Sequence, residues 1–245
     1  MAKSSKDKDR RAVVEQVRRE QQRAEKRRTY AIIAACVVVG LVIIGLGAYP
    51  LIKEDRASAG ALGTIGVPAA DAGCQDIETK PAEGSADHKD VGTQIDYPDA
   101  PPAFGPHYPT PAPMSRKFYS PGDRPELEYL VHNLEHGYNI LWYDETIADD
   151  DDLLTEVKAI SNKFPGTDDM KNKFIVAPWT AEDGKAFPGG AHIALTHWSV
   201  GREGTGEATG EQTGVWQYCG KPSGEVVSDF VEEYPYTDSP EPMAM

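Results

Sequence analysis

Residues 31–52, AIIAACVVVGLVIIGLGAYPLI, run for 22 positions without a charge. Such a helix is apolar on every side, and about 20 apolar residues are what a helix needs to cross the hydrocarbon core of a bilayer. The run therefore predicts a transmembrane helix. A secretory leader is the alternative, since it also begins basic and turns apolar. Its apolar part, however, is only about 7–15 residues and ends at a small-residue cleavage site. Here the run is longer and follows a 30-residue charged head. The reading is an uncleaved anchor.

Charge divides at the same place. Residues 1–30 hold eleven Lys/Arg and five Asp/Glu, a net of +6, whereas the chain as a whole is at −14, so the remainder carries −20. Lys26, Arg27 and Arg28 abut the apolar run, while Lys53 and Arg56 beyond it are balanced by Glu54 and Asp55. The positive-inside rule then predicts a cytoplasmic N-terminus and an extracytoplasmic segment 53–245 in the cell membrane. A basic head beside a span fits anionic lipid better than nucleic acid. The acidic outer part would repel phosphates, which argues against nucleic acid there.

Of three cysteines, Cys36 lies within the span, and Cys74 and Cys219 lie outside, where oxidising conditions permit a disulfide. A Cys74–Cys219 bridge is expected, with a free pair or a metal-ligating cysteine as the alternatives.

The outer half reads as a linker over 53–73, a domain over 74–234 and a Pro-rich, fraying tail over 235–245. Residues 95–115, IDYPDAPPAFGPHYPTPAPMS, hold seven prolines and so lack the backbone donors of a helix or central strand. They predict an extended loop laid over something else. YNILWYD (138–144), KFIVAPW (173–179) and HIALTHW (192–198) read as strands. ADDDDLLTEVKAISNKF (148–164) and SGEVVSDFVEEYP (223–235) carry apolar residues at helical spacing. REGTGEATGEQTG (202–214) reads as mobile. The order predicts an α+β domain with a small sheet and two helices, preceded by the single transmembrane helix.

LVHNLEHG (130–137) holds the chemistry. His132 and His136 are four apart, so on one helical turn their imidazoles share a face within metal-binding reach, and Glu135 between them could ligate or orient a ring. Two ligands do not hold an ion. His107, on the Pro-stiffened FGPHYP loop, is the predicted third, so the candidate metal set is His107, His132 and His136. Zinc or copper would suit such imidazoles, and Met114 nearby would favour Cu⁺ in a reducing setting. The alternative is a hydrogen-bonded cluster that fastens the loop to the first strand. His88 lies in a polar loop, and His192 and His197 face opposite sides of one strand.

H-x-x-E-H is also the signature of the inverted zincin metallopeptidases. Those set it in a long helix, whereas Gly137 and an aromatic strand follow at once here. No G-x-S-x-G, phosphate loop, dinucleotide fingerprint or C-x-x-C is present in the sequence. No enzymatic role is expected.

The combination of Tyr97, Pro101, Pro102, Gly105, His107 and Pro109 with His132, Glu135, His136 and Gly137 resembles a family of membrane-anchored actinobacterial proteins classed as a domain of unknown function. Its hallmarks are a Y-x(3)-P-P-x-x-G-x-H-x-P loop and a H-x-x-E-H-G motif leading into an aromatic strand. His88 matches the family's upstream histidine, and HIALTHW its later segment ending in tryptophan. The resemblance spans about residues 74–234. One departure is the absence of a Cys-Gly pair after the loop, where this chain reads APMSRKFY; if that cysteine matters to a metal or redox site, this chain lacks it or uses Met114 instead. In size and topology the protein is similar to single-span accessory subunits of respiratory supercomplexes. That likeness implies a non-enzymatic accessory subunit of a membrane complex, the cytochrome bcc–aa3 supercomplex being the example. A metal-handling protein is the alternative.

Overall fold

In the computed structural model the described residues are 60–82, 87–203, 207–208 and 210–245, together with 15, 18, 19, 21, 23, 25–30 and 32–44. Most of the expected head, positions 45–52 of the expected span, the linker up to residue 59, and 204–206 and 209 of the Gly-rich stretch lie outside them. The chain divides into two units, 1–52 and 53–245.

The first unit contains helix α1, Glu25–Ile44, long and apolar enough to cross a membrane. Helical residues also precede the apolar run, since Glu25, Lys26, Arg27 and Arg28 are good helix formers.

The second unit is mixed α/β. Its strands are β1 (Glu78–Pro81), β2 (Asn139–Tyr143), β3 (Phe174–Pro178), β4 (Ile193–Ser199), β5 (Arg202–Glu203), β6 (Glu207–Ala208) and β7 (Thr213–Cys219). Five form one sheet in the order β1-β7-β4-β2-β3, while β5 and β6 pair separately. Only β2 and β3 run parallel in the large sheet, Ile140 opposite Ile175 and Trp142 opposite Ala177. The other neighbours are antiparallel. The three predicted strands are present. β7, between β1 and β4, escaped the sequence because it directly follows the Gly-rich stretch and itself contains Gly214.

Both faces of the sheet are covered, and all five residues of β2 are buried. On one face Leu141, Tyr143, Phe174, Val176, Leu195 and Val215 pack with Val157 and Ile160 of α4 (Asp151–Ser161) and Val227 and Phe230 of α5 (Gly224–Glu233). The Asp150 carboxylate caps α4 by accepting from the Asp152 and Leu153 amides. A short helix, α3 (Glu145–Ala148), precedes α4. On the other face Ile140, Trp142, Ile175, Trp198 and Trp216 meet Leu130, Val131 and Leu134 of α2 (Leu127–Glu135), Ala103 and Ala112 of the Pro-rich loop, and Tyr119. The chain therefore holds more helices than the expected two. α2 was legible only as its last turn, since Glu128, His132, Asn133 and Glu135 are polar yet buried against the loop.

Two expectations about the ends change. Residues 61–72 are not a free linker. Ile65 and Ala72 are buried, and the Gly224 amide donates to the Ile65 carbonyl at 2.8 Å. The tail is not frayed either. Asp238 and Ser239 are buried, and the Asp238 carboxylate accepts from Ser199 Oγ at 2.6 Å. Cys74 and Cys219 form a disulfide across 145 residues.

Candidate metal centre

Three polar anchors on α2 position the Pro-rich loop, which has few backbone hydrogen bonds of its own to give. Asn133, fully buried, accepts from the Ala112 amide at 2.9 Å and donates to the Ala112 carbonyl at 3.0 Å. Glu128 accepts from the Ile95 amide at 3.2 Å. His132 Nδ1 donates to the Tyr108 carbonyl at 2.5 Å. The fastening expected of a histidine is thus made by His132, but through one ring nitrogen only.

The loop in turn presents His107. Its Nδ1 donates to the Gly105 carbonyl at 2.8 Å, an acceptor that fixes the proton on that nitrogen. Gly105 has φ 139°, outside the range an ordinary residue adopts readily, and this lets its carbonyl turn back to the ring. His107 Nε2 is left facing Glu135 Oε2 at 3.0 Å. His88 lies alongside, through a bridge between His88 and His107 in which the Lys89 amide donates to the His107 carbonyl at 2.8 Å.

Four ligand atoms, one each from His88, His107, His132 and Glu135, lie within 4.8 Å of one another. His107, His132 and Glu135 are buried, and His88, its side chain about half exposed, faces the solvent. The rings pack closely, with centroids 4.8 Å apart for His107 and His132 and 5.2 Å for His88 and His132. Two of the three imidazoles give their Nδ1 proton to a backbone carbonyl, the arrangement that fixes the tautomer and aims Nε2 in metal-bound histidines.

The electrostatics point the same way. Burial pushes the Glu135 carboxyl up, but the His107 hydrogen bond and the neighbouring imidazoles outweigh it and hold it below its ordinary value. Burial holds the His132 imidazole below its usual value despite the Tyr108 carbonyl. The Glu135 carboxylate faces a His107 ring nitrogen whose partner nitrogen already gives its proton to Gly105, so the 3.0 Å contact is held by a second proton or by a metal ion. Two lone pairs at 3.0 Å repel unless a proton or a metal ion lies between them.

Of the predicted set, His107 and His132 meet in this group, but His136 does not belong to it. It caps the C-terminal end of α2, where it groups with Glu135 and Glu241 instead. Gly137 follows with φ 89°, and a side chain there would come within 2.2 Å of the Tyr236 carbonyl. The glycine both ends the helix and admits the tail. His88, which matches the upstream histidine of the resembled family, supplies a ligand atom of the group of four. Met114 is elsewhere. Its thioether accepts from Tyr138 Oη and Lys117 Nζ, each at 3.0 Å. His192 bonds Asp144 at 2.8 Å, while His197 is buried and donates to the Asp238 carbonyl at 2.6 Å, as their opposite facings predicted. Glu241 was not identifiable from the sequence, since no period or spacing ties a tail carboxylate to a histidine about a hundred residues earlier.

The chain belongs to the family described as protein of unknown function (DUF3105), whose model matches residues 88–245. The match takes in both groups, from His88 to Glu241. No curated protein and no solved structure matches the chain.

Proposed function

We propose that this is a membrane-anchored metal-binding protein. Its outer domain holds one first-row transition-metal ion, zinc or copper(II), through His88, His107, His132 and Glu135. The observation that carries this reading is His107: its Nδ1 proton is committed to Gly105, and its Nε2 faces the Glu135 carboxylate at 3.0 Å. Cis ligands on a tetrahedral zinc with bonds of about 2.0–2.1 Å are separated by about 3.3 Å, close to that spacing. Three imidazoles and one carboxylate suit zinc or copper(II) better than calcium or magnesium. Glu135 is a ligand in this reading, not a general base, and the domain is not a hydrolase.

The N-terminus is cytoplasmic and the domain extracytoplasmic, a topology supported by the Lys/Arg bias beside α1 and by a disulfide that suits an oxidising compartment. An accessory place beside a larger membrane complex, such as a cytochrome bcc–aa3 supercomplex, rests on size and topology alone. Co-purification from native membranes in mild detergent tests it.

Elemental analysis of the full-length protein tests the metal. The wild type should carry zinc or copper, and His107→Ala and Glu135→Gln should each lose it while remaining folded. Wild-type protein without metal, even after zinc is supplied, would sink the reading and leave the group as a hydrogen-bonded fastener.

A further inference from the structure

We infer a second cation position beside the first, formed by Glu135, His136 and Glu241 and sharing the Glu135 carboxylate. It rests on the metal-binding reading above and extends it from one ion to two.

Ligand atoms of these three residues also lie within 4.8 Å of one another. His136 Nε2 is 3.6 Å from Glu241 Oε2, a spacing that bonds of about 2.1 Å to a shared ion can span. Glu241 is carried to this place by a fixed backbone. Its amide donates to the Glu135 carbonyl at 3.0 Å, and Lys173 Nζ donates to the carbonyls of His136, Pro242 and Ala244 at 2.7, 2.9 and 2.6 Å. One buried ammonium thus ties the end of α2 to the strap that bears the carboxylate.

A second observation is the His136 ring, whose two nitrogens differ in their partners. The ring is 5 % exposed, and its Nδ1 is buried without a hydrogen-bond partner among the described residues. Its Nε2 lies 2.9 Å from His132 Nε2. Because His132 gives its proton to Tyr108 through Nδ1, His132 Nε2 carries a lone pair, and His136 Nε2–H is the group that donates to it. An ion bound by His132 Nε2 takes that acceptor away. The neutral His136 ring then moves its proton from Nε2 to the unpartnered Nδ1 and offers the Nε2 lone pair to a second ion, with Glu135 bridging and Glu241 completing the set. Filling the first position prepares the second. One imidazole and two carboxylates, one of them half exposed, make the second position the weaker and more exchangeable of the two.

Zinc titration of the metal-stripped, full-length protein in detergent, against a chromophoric competitor, separates the cases. The expected result is two equivalents. Glu241→Ala, at a partly exposed position, should leave the tight equivalent unchanged and weaken the second by about 10- to 100-fold, the range seen when supporting groups of a metal site are lost. His136→Asn should do the same, and His107→Ala should remove both. A single wild-type equivalent that Glu241→Ala leaves untouched overturns the second position and spares the first. Two equivalents that both survive Glu241→Ala overturn it as well. No equivalent at all overturns both.

Discussion

The two faces of the five-stranded sheet are built on the same strands yet solve different problems. The α4/α5 face is an apolar core of periodic elements, with Leu141, Val176 and Leu195 meeting Val157, Val227 and Phe230. The α2 face is covered by a loop with seven prolines in 21 residues, which cannot satisfy its own backbone. Polar side chains of α2 do that instead, and His132 and Glu135 serve the cluster from within this cover. The lesson is that a polar, buried helix face next to an irregular loop carries two duties. It fastens the loop, and with the atoms left over it makes a site.

The comparison breaks if damage to the apolar face reaches the metal. Phe230→Ala, at a buried position, should cost about 3–5 kcal/mol of stability. Chemical denaturation measures that, and metal content below the transition should stay at the wild-type value. Removing the disulfide with Cys74→Ala and Cys219→Ala should cost about 2–4 kcal/mol, again without loss of metal at low temperature. Its position at the edge of the same apolar core predicts this separation.

On the other face the pattern should invert. Asn133→Ala strands the Ala112 amide and carbonyl in a buried place and should cost about 2–3 kcal/mol. Because it frees the loop that presents His107, it should also lower metal affinity, which isothermal titration with zinc would detect. Equal affinity in the folded variant would show that fastening and binding are separate after all.

The smallest effect sharpens the comparison at the one buried imidazole on the apolar side. Burial holds His197 below its usual value, against the pull of the Asp238 carbonyl and carboxylate. The unfolded chain takes up a proton near pH 6.5, whereas the folded chain resists it, so the unfolded state binds more protons below that pH. Stability should therefore fall as pH drops below about 6.5, with His197 contributing at most about 1.4 kcal/mol per pH unit. Melting curves of chelator-treated protein at pH 7.5, 6.5 and 5.5 measure the slope, and His197→Gln should flatten it. An unchanged slope would move the acid sensitivity to the α2 face.

Much of the apolar face was legible because strands and helices repeat. β2, β3 and β4 showed as aromatic and aliphatic runs, and α4 and α5 as apolar stripes. β7 did not, since the Gly-rich stretch before it carries no period, and its place between β1 and β4 is set only by pairing. On the α2 face, the i, i+4 pairing of His132 and His136 followed from helical geometry, and their Nε2 atoms lie 2.9 Å apart. The spacing did not show that His136 also groups with Glu135 and Glu241, because it stands at the helix end beside the strap.

By itself, the sequence determined the apolar span, the charge asymmetry about it, the one cysteine pair available to the outer half, and the elements with a period. All of these depend on residues within a turn or two of one another, or on composition. Only the tertiary structure decided that His88 and His107 meet Glu135, 47 and 28 residues later, and that Glu241 arrives beside His136 from the tail. Those meetings are set by where a proline-rich loop and a strap find partners for their backbone groups. A chain with no period in it must take those partners from distant elements, and no local pattern names them.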